Sequence, residues 1–212
     1  MSINPTIKAI LAPAYMPCAE FESACTQMRW NPGAGHVPRG FLGGSGTLEE
    51  IELVLVFAEP GDPHSAECHD GLESAYEYAN FAVKSGKDEF HRNIRMILDS
   101  CWPELSFEEQ MRKVWLTDSV LCSASKECGN VPKATERSCG QRYLIPQLNL
   151  FPSALIVAVG GKAQRRLRTL GFNRFLAVYS VAPPGCRTHK KQAQESWGLI
   201  PTELARRREI CA

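Results

Sequence analysis

The sequence lacks any apolar run approaching the roughly 18 residues that a membrane span needs, and no N-terminal stretch has signal-peptide form. A cytoplasmic protein with no membrane partner is expected. Charge of either sign is not in surplus. The formal net charge of +1 excludes a molecule basic all over, so any nucleic acid would have to be held by local patches. No internal repeat or low-complexity tract interrupts the 212 residues, and 44% hydrophobic with 22% charged residues is ordinary globular composition, so one domain, 1–212, is expected. Nor do the cysteines look like a disulfide framework. Their number, nine, is odd, and in an intracellular setting they read as free thiols, metal ligands or small buried hydrophobes.

What is present centres on one stretch. Five apolar residues in a row, Leu53-Val54-Leu55-Val56-Phe57, read as a strand buried on both faces. The turn that follows, Ala58-Glu59-Pro60-Gly61-Asp62-Pro63-His64, carries two prolines, a glycine, two carboxylates and a histidine. In open α/β sheets ligands bind outside the carboxyl ends of the strands, so Glu59, Asp62 and His64 emerge where a substrate would sit. An ordinary surface turn of Pro, Asp and Gly is the competing reading.

Further strands are expected at 114–121, 154–159 and 175–181, the first interrupted by Asp118. Helices are expected at 67–84 and 89–98, from Ser106, whose spacing to Glu109 is that of a capping box, and at 136–150 with a break at Pro146. Gly160-Gly161-Lys162 opens a basic helix, and a basic amphipathic tail closes the chain. Residues 30–44 read as a long Gly/Pro-rich loop whose Trp, Phe and Arg favour an ordered wall for a ligand. Strands alternating with helices predict a three-layer α/β/α domain around a central four-stranded parallel sheet.

The strand-end turns, from about residue 50 to 192, resemble those of the uracil-DNA glycosylase superfamily. Its first strand ends in GQDPY, GEAPG or GMNPG, and this chain has Phe57-Ala58-Glu59-Pro60-Gly61, with Glu59 at the position of the water-directing Asp of the first form. Phe90, with Ile97 and Leu98 following, is similar to PFxGxxGxLL of the iron–sulfur branch, whose aromatic residue stacks on uracil. Thr117-Asp118-Ser119-Val120-Leu121-Cys122 resembles TNVVKC or LNAVLT, which places Asp118 where an Asn reads the pyrimidine edge. Residues 154–167 resemble the third-strand block. Two departures stand out: Asp118 replaces that Asn, and Pro183-Pro184-Gly185 replaces the last motif's His-Pro-Ser and its catalytic His.

The resemblance implies hydrolysis of uracil from DNA, leaving an abasic site, by a monofunctional enzyme acting as a monomer. Flipping a base out of the stack costs a few kcal/mol. An aromatic side chain returns about 1–3 kcal/mol by stacking, the role implied for Phe90, although its helix face equally suits the core. Cleavage develops positive charge on the sugar, which a carboxylate at Glu59 stabilises while orienting water. Ala58, Gly61 and His64 would line the base with Asp118. An ionised Asp118 can only accept, so it is either protonated, or accepts from N3–H while a backbone N–H serves O4. His189, His64 or backbone N–H groups would serve the leaving oxygen. His189 lies in a loop with Arg187, Lys190 and Lys191 that resembles the minor-groove probe. Lys162 and Arg165, with Arg187 and Lys190, would grip phosphates.

Cys122 and Cys139, sixteen residues apart in the sense of intervening positions, match the second cysteine pair of the iron–sulfur branch. Cys18 and Cys25 have six residues between them where that branch has about two, so a [4Fe–4S] cluster is possible on these four but not favoured, and no cofactor is required. Two alternatives to uracil release stay open. One is a nearly inactive binder of damaged or abasic DNA, because the His is missing. The other is release of hypoxanthine or xanthine, because Gly61 replaces the Tyr that excludes thymine in the GQDPY form.

Overall fold

The computed structural model describes residues 2–211 except 17, 19, 21, 62–68 and 127–128, with the backbone alone at 210 and 211. Helix α1 (Pro5–Leu11) starts at Asn4, whose side chain accepts from the Thr6 N–H at 2.9 Å, and buries Ile7 and Leu11. The sheet follows, from strands β1 (Phe41–Gly43), β2 (Leu53–Phe57), β3 (Val114–Asp118), β4 (Leu155–Val159) and β5 (Leu176–Val178). Their order is β1-β3-β2-β4-β5. All five residues of β2 are buried, and each such Val or Leu contributes about 1.5–3 kcal/mol of hydrophobic stabilisation.

The sheet is five-stranded and mixed, a correction to the four-stranded parallel sheet expected. Strands β3, β2, β4 and β5 do run parallel. The extra strand, β1, lies antiparallel on β3, with Phe41 opposite Thr117 and Gly43 opposite Trp115. It falls inside the stretch read as a loop. Three residues between glycines carry neither the length nor the alternation by which a strand is recognised. Those glycines have a structural reason: Gly40 and Gly43 have φ of 86° and 87°, and an added Cβ would strike the Asp118 carboxyl and the Val114 carbonyl respectively.

Helices α2 (Leu72–Ser85), α3 (Glu89–Cys101) and α4 (Phe107–Lys113) join β2 to β3. Asp88 caps α3 by accepting from the His91 N–H at 3.1 Å, and Ile94, Ile97, Leu98 and Cys101 form its buried stripe. The capping box of α4 is formed as the spacing predicts: Ser106 Oγ accepts from Glu109 N–H at 3.3 Å, and Glu109 Oε2 accepts from Ser106 N–H at 2.8 Å. Between β3 and β4 the expected single helix is instead α5 (Lys133–Cys139), a π-helical turn (Gly140–Leu144) and α6 (Ile145–Asn149). Pro146 has no N–H to give and its ring crowds the preceding turn, which the wider turn accommodates. Within the core, Trp115 Nε1–H donates to Gln147 Oε1 at 2.9 Å, so that buried pair leaves its donor satisfied.

After β4 come α7 (Gly161–Thr169), β5, the short α8 (Gly185–Thr188) and the long α9 (Lys190–Cys211). Helices α7 and α9 both contact β4, and α2 and α4 contact β1, an arrangement compatible with α/β/α layering. Among the described residues no helix is long and apolar enough to cross a membrane.

Candidate functional site

The parallel register brings the carboxyl ends of β2 and β3 side by side, with Phe57 opposite Asp118. Pairing continues past the strands: Ser119 N–H donates to the Phe57 carbonyl at 2.9 Å and Val120 N–H to the Ala58 carbonyl at 3.1 Å. The turn Ala58-Glu59-Pro60-Gly61 is therefore anchored beside Asp118.

Its anchors are two arginines and two serines. Arg166 donates from Nη1 to the Ala58 carbonyl at 2.7 Å and to Ser119 Oγ at 3.1 Å, while Ser119 Oγ itself donates to the Ala58 carbonyl at 2.7 Å. Ser123 Oγ donates to the Gly61 carbonyl at 2.8 Å, and Arg39 donates to the same oxygen. Arg166 is 1% exposed and also pairs with two carboxylates, Glu59 Oε2 at 2.6 Å and Glu136 Oε1 at 2.8 Å. The planar guanidinium is suited to this because its five N–H groups point along fixed directions. Lys162 pairs with the other Glu59 oxygen, so Glu59, 9% exposed at its side chain, stands between two cations.

Asp118 has different surroundings. It is 5% exposed, and its carboxyl lies against the backbone of Gly40. Burial, followed by the neighbouring Glu59 charge, pushes that carboxyl well above the usual carboxylate range, against the smaller opposing pull of Arg166 and Arg39. Two carboxyl groups of one sheet edge are thus set apart electrostatically.

Phe90, at the start of α3, is part-buried and packs edge-on against Phe57 with ring centroids 5.3 Å apart, which brings it to the end of β2. On the neighbouring Glu89, Oε2 accepts from Arg187 Nε at 2.6 Å, and Asn93 Nδ2 donates to the Val181 carbonyl at 2.8 Å. These two bonds fasten the segment after β5 to the helix that carries Phe90. His189 is placed elsewhere: it is exposed, its ring lies 5.7 Å from that of Tyr179, and no hydrogen bond or ion pair joins it to Glu59 or Asp118 among the described residues. His64 lies outside the described residues. Of the expected phosphate contacts, Lys162, Arg165 and Arg187 are each held by a carboxylate, of Glu59, Glu136 and Glu89 respectively, and Lys190 is exposed.

The chain matches no family model and no curated protein.

The four cysteines named from the sequence line one cavity. Cys18 and Cys25 come from the N-terminal segment, Cys122 from just beyond β3 and Cys139 from the end of α5. Burial and the neighbouring thiols push Cys25 up to about 11 and Cys139 up to about 12, and Cys122 is raised further for the same reasons. Leu121 N–H donates to Cys139 Sγ at 3.4 Å, and Tyr143 Oη donates to Cys18 Sγ at 3.2 Å. Among the described residues no set of three His, Cys, Asp or Glu side chains suits a single metal ion. A cluster spreads its thiolates more widely than one ion does, and the four thiols converging on one cavity are the donor set it would need. The enclosed space is about 20 Å³, about one water, so a cluster would require the side chains to swing outward.

Sequence reasoning missed the roles of Arg166, Glu136 and Ser119, and placed Arg39 only as part of a ligand wall. For Arg166 a signal was there: it lies on one helical stripe with Ala163 and Leu167, both fully buried, at the i+3 and i+4 spacing of a core face. The place of Arg39 beside Asp118 could not be read, since it depends on the β1–β3 pairing, beside which Arg39 N–H donates to the Leu121 carbonyl at 2.9 Å.

Proposed function

We propose that this chain is a monofunctional DNA glycosylase that flips uracil from DNA and hydrolyses its N-glycosidic bond, leaving an abasic site and free uracil. The observation that carries the reading is the carboxyl pair, Glu59 and Asp118, at the adjacent ends of two parallel strands, each at the position that the resemblance marks. A three-layer α/β/α domain acting as a cytoplasmic monomer completes it.

In this reading Phe90 stacks on the flipped base and offsets the cost of unstacking by about 1–3 kcal/mol. Glu59 faces the sugar, where its negative charge stabilises the developing oxocarbenium ion and orients the attacking water. Arg166, buried, holds that carboxylate in one place, so its orientation costs little at the moment of reaction. Asp118 reads the base edge, with Ala58, Gly61 and His64 lining the same opening. Lys190 and the exposed guanidinium and ammonium groups of Arg187, Arg165 and Lys162 meet phosphates, exchanging their carboxylate partners for the DNA backbone. No cofactor takes part in the hydrolysis. Cys18, Cys25, Cys122 and Cys139 would hold a [4Fe–4S] cluster whose chemistry here is structural, fastening the N-terminal segment to β3 and α5.

Two observations favour variants of this reading. His189 rests on Tyr179 away from the carboxyl pair, which favours a binder of abasic or damaged DNA. Among the described residues no atom lies within 4 Å of a Cβ added at Gly61, which favours a larger base such as hypoxanthine or xanthine.

The test is single-turnover release of uracil from one duplex by wild type, Glu59→Gln and His189→Ala, per folded molecule. Glu59→Gln is expected to slow release by roughly 10²–10⁴-fold, and His189→Ala by much less. Equal rates for wild type and Glu59→Gln would remove the role given to Glu59. A wild type that binds abasic duplex tightly but releases no base would establish the binding reading instead.

A further inference from the structure

Glu59 and Asp118 share one sheet edge but not one environment. Glu59 has two cations within ion-pair distance, whereas Asp118 has no ion pair among the described residues and is almost wholly buried against the Gly40 backbone. Among the described residues the charged groups that face Asp118 are Glu59 from the turn after β2, Arg166 from α7 and Arg39 from the segment before β1. A buried carboxyl group that keeps its proton is equipped to act as an acid, and a second carboxylate held beside it by cations as an electrostatic partner.

We propose that Asp118 is the general acid for release of the base, donating its proton to the carbonyl oxygen on the base edge that it reads. The proposal rests on the glycosylase reading above and deepens it, because it gives the missing histidine's task to a carboxyl group at the end of β3, on the strand paired with the one that leads to Glu59. The buried position next to a second negative charge keeps the proton on Asp118 before the reaction, and Arg39 and Arg166 are the positive charges that face its carboxylate afterwards.

The step balances as follows. The bond from C1′ of the sugar to the base nitrogen breaks, and its electron pair passes to the base. The Asp118 proton moves to the base carbonyl oxygen, so the base departs neutral, as an enol that tautomerises in water. Water forms the new C1′–O bond and gives its surplus proton to solvent, from which Asp118 regains one.

A general acid matters less as the leaving group becomes a better anion, which separates proton donation from a purely structural role. Single-turnover release of uracil and of 5-fluorouracil from the same duplex is measured against pH with wild type and Asp118→Asn. Asp118→Asn is isosteric and keeps an edge-reading side chain, and its fold is checked by thermal unfolding. Expected on uracil is a loss of roughly 10²–10⁴-fold, together with disappearance of the alkaline fall in rate that wild type shows. On 5-fluorouracil the loss is expected to be smaller by about tenfold or more. Equal losses on both bases, or a wild-type rate on uracil that does not fall as pH rises, would overturn the proposal while leaving the glycosylase reading intact. The wild-type profile alone decides this if the variant does not fold. A wild type that releases neither base would overturn both.

Discussion

Arg166 Nη2 stands 2.6 Å from Glu59 Oε2, and the guanidinium that makes this contact is 1% exposed. A cation taken so far out of water loses most of its hydration, and it is compensated here by two carboxylates, a carbonyl and a serine hydroxyl. The turn that carries Glu59 is therefore coupled to the stability of the domain. Removing Arg166 as Arg166→Ala leaves Glu59 and Glu136 without their buried partner and is expected to cost about 3–5 kcal/mol. Denaturant unfolding measures this. Arg166→Ala combined with Glu136→Gln should recover part of the loss, whereas Arg166→Lys, which keeps the charge without the planar fork, should fall between.

Asp118 makes stability depend on pH in a definite direction. Its folded-state proton affinity is raised above the ordinary value of 3.8. The native state thus holds a proton that the unfolded chain has lost, and stability present below the ordinary value declines as pH rises toward the raised one. Asp118→Asn removes this slope. The variant's thermal midpoint should gain on that of wild type steadily as pH rises from acid toward neutral, read by calorimetry at several pH values. A gap that shrinks with rising pH would show Asp118 ionised in the folded protein.

Phe90 packs edge-on against Phe57 yet is only part-buried. Phe90→Ala should weaken uracil release by about 1–3 kcal/mol of transition-state or binding free energy, while costing less stability than the 3–5 kcal/mol typical of a core Phe→Ala. Release kinetics and an unfolding curve on the same preparation check both halves. A large stability loss with unchanged activity per folded molecule would make Phe90 a core residue.

The cysteine cavity is decided by iron analysis. Elemental and acid-labile sulfide analysis of chain purified without oxygen from iron-replete cells is expected to find no stoichiometric iron, and about four iron and four sulfide per molecule would establish the cluster that the spacing of Cys18 and Cys25 does not favour. If found, that metal should be lost in Cys122→Ser. Because ligation requires thiolates from groups now pushed well up, metal uptake should release protons and weaken as pH falls.

The apolar run Leu53–Phe57, the capping spacing of Ser106 and Glu109 and the period of Ile94, Ile97 and Leu98 were legible in the sequence because they depend on local geometry. A parallel sheet carries its residues to one edge whatever lies between the strands, so the juxtaposition of Glu59 and Asp118 was readable too. The four cysteines could be named from the sequence, but six residues between Cys18 and Cys25 could not show that both face Cys122 and Cys139.

Tertiary structure alone decided the partners. Strand β1 exists because β3 offers an open edge to Phe41 and Leu42, and it is that pairing which brings Arg39 and Gly40 to Asp118. The stripe of Ala163 and Leu167 could mark Arg166 as facing the core, but only the packing of α7 on β2 and β4 decided that it sits between Glu59 and Glu136. Which charges neutralise each other depends on long-range closure of the chain. Local spacing carries no record of that, since the residues that face Asp118 lie at 39, 59 and 166.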